Sequence, residues 1–324
     1  MKFNRRMALV AAAALTVAST AWSQGAYPNK PVKIIVPYAP AGTTDIFARV
    51  IASRLSVILG QPFIVENRPG SGGSIGTAYA AKVAPDGYNL VMLVESSHAV
   101  NPSVSIKLPY DPIADFEPIS NIADVPNVFV VGQKFKSLDL AGVVARLKAE
   151  PGKSAFGSSG PGGLSNINGE LFKFVTQTDA LHVPYKGMGP ALSDIVAGQI
   201  DFGIDNIPSS MGLIEGGQLK PLAVASKTRL KKLPNVPTFA ELGMPALNHP
   251  SWFGIGAPAG VPAPILDTLN KAVVQALAEK DVIAQIEQLG AVPAPTTRQA
   301  FSEFVKAENV RWKKIIVETK IEKQ

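Results

Sequence analysis

A short apolar run, a loop broken by Pro and Gly, and the start of a helix follow one another early in this chain, and this order limits its possible folds. Residues 32–36 are rich in β-branched side chains and stop at Pro37, which lacks a backbone donor, so they predict a buried strand. Residues 43–45, two Thr and an Asp, supply capping oxygens for a helix that Gly60 ends. This order is typical of α/β proteins.

The same order recurs further along the chain. Three strands separated by two helices, within residues 32–94, imply a parallel sheet with right-handed crossovers, and residues 128–225 form a second series. Predicted strands lie at 32–36, 63–65, 89–94, 128–131, 154–157, 202–206 and 222–225, and predicted helices at 46–59, 75–84, 138–150 and 164–176. Because ligands of such sheets bind at the carboxyl ends of the strands, we expect them near residues 37–45, 66–74 and 95–101.

The loop after the first predicted strand has the geometry of an anion site. Unpaired N–H groups of a first helical turn carry about half a positive charge and suit a carboxylate or phosphate. The alternative is a turn without a ligand, since such turns are common in α/β proteins.

Residues 1–23 are predicted to be a secretory signal peptide. Three basic residues precede an apolar run, and small residues follow at the positions that signal peptidase recognises. The run is shorter than the ~20 residues that a membrane-spanning helix needs. Losing three basic and no acidic residues lowers the formal net charge from +6 to +3, which argues against nucleic acid as a partner. We therefore expect a periplasmic protein that begins near Gln24.

The chain contains no Cys, which excludes disulfides, Cys nucleophiles and thiolate metal sites. Its three His are not spaced as metal ligands, so we expect neither a metal nor a cofactor. About three hundred mature residues are enough to bury a core, more readily as two domains than as one.

The Gly-rich residues 70–76 partly match two enzyme motifs. Residues 72–76 have the pattern Gly-x-Ser-x-Gly, but a nucleophile elbow needs a strand leading directly into the Ser, and here a Pro/Gly loop intervenes. Gly70 and Gly72 begin a dinucleotide fingerprint whose third Gly is replaced by Ile75. We predict instead that these glycines allow another backbone segment to approach closely.

Six motifs carry a resemblance to a known family: Tyr27-Pro28-Asn29-Lys30-Pro31-Val32, Val65-Glu66-Asn67-Arg68-Pro69-Gly70, Pro85-Asp86-Gly87-Tyr88, Pro184-Tyr185-Lys186-Gly187, Gly198-Gln199-Ile200-Asp201 and Ser251-Trp252-Phe253-Gly254. Together they resemble the Bug-type periplasmic solute-binding receptors of the tripartite tricarboxylate transporter family. The resemblance implies a two-lobed α/β periplasmic binding protein, type II-like or Venus-flytrap, with a ligand cleft between two α/β domains. It also implies that the chain crosses between lobes more than once, with residues 24–124 and 251–324 in the first lobe and 125–250 in the second.

The function that the resemblance implies is binding without chemistry. Such a receptor is not an enzyme; it closes around a small carboxylate, here a di- or tricarboxylate, an aromatic acid or an acidic amino acid, and delivers it to membrane transporter subunits. We expect it to act as a monomer. Two alternatives remain open, an exported hydrolase and a sensory receptor that uses the same cleft.

The resemblance also carries over two ligand loops, at residues 38–45 and 158–163. No Arg or Lys lies in either loop, which indicates that backbone amides recognise the carboxylate. Two departures from the family pattern put the usual ligand set in doubt. The first loop has Ala41-Gly42 where Gly-Gly is usual, and Gly163 and Asn166 replace a hydroxyl residue and a His.

Two candidates outside these loops follow predicted strands. Asp205 either accepts a ligand ammonium or caps the next helix, and His98 either lines the cleft or packs elsewhere. The candidate ligand-binding residues are Tyr38, Ala41, Gly42, Thr43, Thr44, Asp45, Ser158, Ser159, Gly160, Gly162, Gly163, Asp205 and His98.

Overall fold

Two mixed β-sheets organise the chain in the computed structural model, which describes residues 27–319, 321 and 323. The strands are β1 Val32–Val36, β2 Phe63–Asn67, β3 Asn89–Val94, β4 Phe116–Val125, β5 Asn127–Val131, β6 Ala155–Ser158, β7 Leu181–Pro184, β8 Phe202–Asn206, β9 Lys220–Ala225, β10 Ser251–Pro258 and β11 Val292–Pro293. The predicted signal peptide lies outside the described residues.

Ten α-helices connect the described strands and cover the sheets. They are α1 Thr43–Leu59, α2 Ser74–Ala80, α3 Asn101–Val104, α4 Leu140–Ala149, α5 Leu164–Thr176, α6 Met188–Val196, α7 Ile207–Glu215, α8 Ala263–Ala278, α9 Lys280–Gln288 and α10 Arg298–Thr319. Within the described ranges, none of these helices is long and apolar enough to cross a membrane.

The first sheet has six strands in the order β11-β4-β10-β3-β1-β2. β1 pairs in parallel with both β2 and β3, as the sequence predicted, whereas β10 pairs antiparallel with β3 and β4. Phe47 and Ile51 of α1 and Leu269 of α8 pack on one face of this sheet, and Trp312 of α10 belongs to the core on the other face. The C-terminal helices therefore cover both faces of the sheet that the N-terminal strands begin.

The second sheet has five strands in the order β7-β6-β8-β5-β9. β6 is parallel to β7 and β8, and β5 runs antiparallel between β8 and β9. Its core is aromatic: Phe129 and Phe202 stack with ring centroids 5.1 Å apart, and Phe172 of α5 packs 4.9 Å from Phe129. Offset and edge-on arrangements at these distances are those that aromatic pairs prefer.

The chain crosses between the sheets twice. β4 of the first sheet ends at Val125, and β5 of the second begins at Asn127, so the first crossing is a single residue, Pro126. The return runs from the end of β9 to Ser251 at the start of β10. Both crossings lie at the same end of the molecule, because Asn127 and Ser251 are joined by a hydrogen bond of 3.1 Å.

Candidate ligand-binding site

A cavity of about 50 Å³ lies between the two sheets, where the carboxyl ends of β1 and β3 face those of β6 and β8. Among the described residues, its only acidic or basic lining side chains are those of Glu95 and Asp205. The full lining is Tyr38, Gly42, Thr43, Thr44, Val94, Glu95, Ser96, Asn127, Ser159, Leu164, Ser165, Met188, Ile204, Asp205, Asn206, Ser251, Trp252 and Phe253.

The first predicted loop brings the start of α1 to the cavity. Gly42 is the N-cap residue of α1 with extended backbone, and Thr43 and Thr44 form its buried first turn. Gly42, Thr43, Thr44 and the Tyr38 ring all line the cavity. The first turn of a helix exposes backbone N–H groups and the positive end of the helix dipole, so this wall suits an anion.

Asp45 lies in the same loop but does not line the cavity. Its carboxylate accepts hydrogen bonds from the Ala41 backbone N–H at 3.1 Å, Asn67 Nδ2 at 3.0 Å and Arg49 Nε at 2.9 Å. Burial alone would raise the pKa of Asp45, but these hydrogen bonds hold that pKa below its ordinary value. Asp45 therefore stabilises the conformation of the loop, and the Ala41 N–H donates its hydrogen bond within the loop.

Ala41 has a left-handed backbone conformation, with φ of 66°. Only Gly adopts this conformation without steric cost, because the Cβ of any other residue approaches the following carbonyl oxygen. The departure from Gly that the sequence analysis noted at this position therefore strains the backbone beside the cavity.

The second predicted loop contributes its hydroxyl groups unequally. Ser159 lines the cavity, and its Oγ lies 2.9 Å from Oγ of Ser165 in the first turn of α5, which also lines it. Ser158 is fully buried outside the lining; its Oγ accepts from the Gly160 N–H at 3.0 Å and bonds His182 Nε2 at 2.5 Å.

The glycines of the second loop shape the backbone without lining the cavity. Gly160 and Gly162 have positive φ, at 114° and 71°, and Gly163 is the N-cap residue of α5. The Gly162 N–H donates to Asn166 Oδ1 at 3.1 Å, so Asn166 supports the loop from within.

The loops of the two sheets touch directly. The Leu164 N–H of α5 donates to Ser96 Oγ at 3.0 Å, and the Ala39 N–H donates to the Lys186 carbonyl at 3.1 Å. Gly72 lies against the second loop so closely that a Cβ there would collide with the Pro161 carbonyl oxygen and the Gly163 nitrogen. This is the close approach that the sequence predicted for the Gly-rich segment.

Asp205 is the last but one residue of β8 and lines the cavity from the second sheet. Its Oδ2 accepts hydrogen bonds from Ser209 Oγ at 2.5 Å and Ser210 Oγ at 2.7 Å, both in α7. The N-cap residue of α7 is Asn206, so Asp205 binds the first helical turns through hydroxyls rather than capping them. Burial raises the pKa of Asp205 to about 6.

His98 lies away from the cavity, in a π-helical turn at Ser96–Val100. Its ring packs edge-on against Phe116 at 4.8 Å, and Nδ1 bonds Ser97 Oγ at 2.8 Å. Burial lowers the pKa of His98 to about 3, so it is a neutral core residue at physiological pH.

Several lining residues were not among the sequence candidates. Asn206 Nδ2 donates to Asn127 Oδ1 at 2.8 Å and to Ser251 Oγ at 2.9 Å, which ties β8 to both crossings. Ser251 and Trp252 belong to one of the motifs that carried the family resemblance, which was the only local signal for them.

Glu95 is another lining residue that sequence reasoning missed, although it is the first residue after β3, at a strand end expected to face ligands. Its Oε1 accepts from Trp312 Nε1 at 2.7 Å and from Arg311 Nη2 at 2.9 Å. Burial raises the pKa of Glu95 above its ordinary range, against the opposing effect of Arg311, which also pairs with Glu308.

The lining offers hydroxyl, amide and carboxyl groups that can bind a ligand. Within the described part of the chain, no group of three His, Cys, Asp or Glu side chains is placed to hold a metal ion. Ser158 and His182 form a close pair, but Ser158 is fully buried and does not line the cavity.

Comparisons with known proteins agree with this geometry. The sequence model of the tripartite tricarboxylate transporter family receptor, TctC, matches residues 47–321. Protein BugT of Bordetella pertussis is 39% identical over 298 residues, which cover 92% of this chain and 91% of that protein.

Solved structures share the fold over nearly the whole chain. A periplasmic transporter superposes with a TM-score of 0.90 at 44% identity, covering 92% of this chain and 100% of that one. The structure of R. palustris Rpa4515 with adipate superposes with a TM-score of 0.87 at 37% identity, covering 91% of this chain and 99% of that one. MatC (Rpa3494) from Rhodopseudomonas palustris with bound malate superposes with a TM-score of 0.86 at 31% identity, covering 90% of this chain and 100% of that one.

Proposed function

This chain belongs to the receptor family of the tripartite tricarboxylate transporters, and from that premise we propose that its cavity captures a small dicarboxylate for delivery to membrane subunits of such a transporter. The fold is the two-lobed α/β fold of periplasmic binding proteins, and the protein is a solute-binding receptor. Two related receptors were solved with adipate and with malate, both dicarboxylates, and we extend that ligand class to this chain.

The observation that carries the proposal is the convergence of two helix N-termini from different sheets on one cavity. Gly42 and Thr43 begin α1, and Leu164 and Ser165 begin α5, and all four line it. The Leu164 N–H already donates to Ser96 Oγ. The other N–H groups of each first turn, with the partial positive charge and the hydroxyl groups there, suit one carboxylate group of a diacid.

The energetics favour charge-assisted hydrogen bonds. A micromolar dissociation constant requires about 8 kcal/mol, whereas a neutral hydrogen bond contributes only about 1 kcal/mol net. Hydrogen bonds to an ionised carboxylate contribute about 1.5–3 kcal/mol each, so four to six of them inside a closed cavity are sufficient. Tricarboxylates, aromatic acids and acidic amino acids remain ligands to be tested.

The mechanism that we propose is closure of two lobes around the ligand. The first lobe comprises residues 24–124 and 251–324, and the second comprises 125–250, with the hinge at the two crossings between the sheets. Hydrogen bonds such as Leu164 N–H to Ser96 Oγ form only when the lobes meet, so a ligand that contacts both lobes shifts the equilibrium towards the closed state.

We further propose that the receptor acts as a monomer in the periplasm and performs no catalysis. An exported hydrolase would need a nucleophile that reaches the cavity, and Ser158, the hydroxyl paired with His182, does not line it. A sensory receptor would use the same cleft, and a transport assay in cells that lack the receptor separates sensing from uptake.

The test is native mass spectrometry of the freshly purified mature protein, compared with its mass after denaturation. We expect a co-purified adduct with the mass of a small dicarboxylate, or a rise in melting temperature with at least one acid in a panel from succinate to adipate. A protein without an adduct that also ignores the whole panel contradicts the proposal.

A further inference from the structure

Among the described residues that line the cavity, Glu95 alone has a buried acceptor atom without a hydrogen-bond partner. The residue is 1% exposed, and its Oε1 is held by Trp312 Nε1 and Arg311 Nη2, at 2.7 and 2.9 Å. Its Oε2 is buried and has no hydrogen-bond partner among the described residues. Asp205, the other acidic lining residue, already accepts two hydroxyl hydrogen bonds at one oxygen.

A buried carboxyl oxygen without a donor lowers the stability of the protein, because it has lost its hydrogen bonds to water and has none to replace them. Since Glu95 belongs to the cavity lining, a donor carried by the ligand can remove that cost. A carboxylate group of the ligand cannot be that donor, because an ionised carboxylate has no proton to donate.

The orientation of Glu95 is imposed from outside the cavity. Arg311 and Trp312 lie on α10, and Arg311 is further held by both carboxylate oxygens of Glu308 at 2.7 Å. This support keeps Oε1 engaged and leaves Oε2 as the available acceptor. Preorganised groups of this kind discriminate strongly against ligands that lack the matching donor.

We infer that Glu95 is a specificity-determining residue whose free oxygen accepts a hydrogen bond from a hydroxyl or ammonium group of the ligand. The inference rests on the proposed function: the ligand is a carboxylate that carries a donor on its carbon chain. Its carboxylates bind at the helix N-termini, and its donor binds at the end of β3. An unsubstituted diacid fits the helix N-termini but leaves Glu95 without a partner.

The experiment is calorimetric titration with matched acids: succinate, malate and aspartate, and glutarate, 2-hydroxyglutarate and glutamate. For the wild type we expect one substituted acid to bind at least about tenfold more tightly than the unsubstituted acid of the same length. Preference for the hydroxy acid or for the amino acid identifies the donor as a hydroxyl or an ammonium group.

The decisive variant is Glu95→Gln. Its amide oxygen keeps the hydrogen bonds of Trp312 and Arg311, so an NH₂ donor replaces the free acceptor, and the preference for substituted acids should fall to within about twofold. Glu303→Gln is the matched control, because it makes the same change at an exposed carboxylate of α10 that does not line the cavity; it should keep the preference.

The outcomes separate the two proposals. Binding of carboxylates without a preference for substituted acids in the wild type, or an unchanged preference in Glu95→Gln, overturns the role of Glu95 alone. Failure of every carboxylate to bind overturns the proposed function as well. The wild-type series decides the inference even if Glu95→Gln does not fold.

Discussion

The Thr43 hydroxyl at the start of α1 lies 3.0 Å from the Ser209 hydroxyl of α7, so a hydrogen bond joins helices that belong to different sheets. Ser209 Oγ also donates to Asp205 Oδ2 at 2.5 Å, which extends the link to a carboxyl group in the cavity lining. Thr43, Ser209 and Asp205 therefore form one chain of hydrogen bonds that joins the two sheets beside the cavity.

A double-mutant cycle with Thr43→Val and Ser209→Ala tests whether this link supports ligand binding. Each single variant should weaken binding, and the double variant should lose less than the sum by about 0.5–1 kcal/mol, because the shared hydrogen bond is lost only once. Calorimetry with the tightest acid of the panel measures the four affinities. Strictly additive losses would show that the contact contributes nothing to the bound state.

Gly72→Ala tests the contact between the Gly-rich segment and the second loop. The new Cβ would collide with the Pro161 carbonyl, and φ is 57°; Gly198 has φ of 75° but open space around its Cβ position. In Gly72→Ala and in Gly198→Ala, Ala in the left-handed conformation should lower the free energy of unfolding by about 1 kcal/mol. Only Gly72→Ala should weaken ligand binding, by at least tenfold. Equal affinities for the two variants would refute the role of this contact in closure.

Gly42→Asp tests the assignment of the first loop. A Cβ at Gly42 would meet only the Ala39 carbonyl oxygen, at 3.7 Å, and Asp is a good N-cap residue, so the fold should persist. The added carboxylate occupies the wall that should bind a ligand carboxylate, and binding should weaken by at least about a hundredfold through like-charge repulsion.

Gly212→Asp is the matched control for Gly42→Asp, since this exposed position of α7 has no heavy atom within 4 Å of the added Cβ. Calorimetric affinity and melting temperature are measured for both variants. Wild-type affinity in Gly42→Asp would remove the first loop from the site.

Ala41→Gly should stabilise the protein. Relief of the left-handed strain at φ of 66° exceeds the entropy that Gly adds to the unfolded chain, and we expect a net gain of about 0.5–1 kcal/mol in urea unfolding. The same change at Ala145, an exposed position within α4, should cost about 1 kcal/mol because Gly disfavours helix. A loss of stability in both variants would contradict the strain at Ala41.

Asp205 should make stability fall as pH rises between about 4 and 6. Its pKa in the folded protein is about 6, against 3.8 when unperturbed, so the folded state binds more protons in this window, and stability is lost as the carboxyl group ionises. The difference amounts to at most about 3 kcal/mol, and Asp205→Asn should abolish it in urea unfolding followed from pH 3.5 to 7.

Asp45→Asn provides the comparison of opposite sign. The pKa of Asp45 is lowered in the folded protein, so its contribution is present above the unfolded pKa and is lost as pH falls. If the stability of wild type and Asp205→Asn changed with pH in the same way, burial would not raise the pKa of Asp205.

Local sequence patterns predicted the two loops that meet at the cavity and seven of the described strands, β1, β2, β3, β5, β6, β8 and β9, but they missed β4, β7, β10 and β11. Pro37, residues 43–45 and the glycines of residues 158–163 act within a few residues of themselves, so their effects are visible in a linear sequence. The predicted helix cap was wrong in detail, because Gly42 is the N-cap residue of α1 and residues 43–45 form its first turn. The parallel pairing of β1, β2 and β3 followed from the same local order.

Tertiary structure decided which residues line the cavity and which ones only support it. Asp45 turns from the cavity because Arg49 and Asn67 bind it, and His98 packs against Phe116, 18 residues along the chain. Glu95 gains its role from Arg311 and Trp312, which are 216 and 217 residues away. Burial and long-range hydrogen bonds decide which oxygen remains free, and these depend on the packing of distant segments rather than on any local pattern.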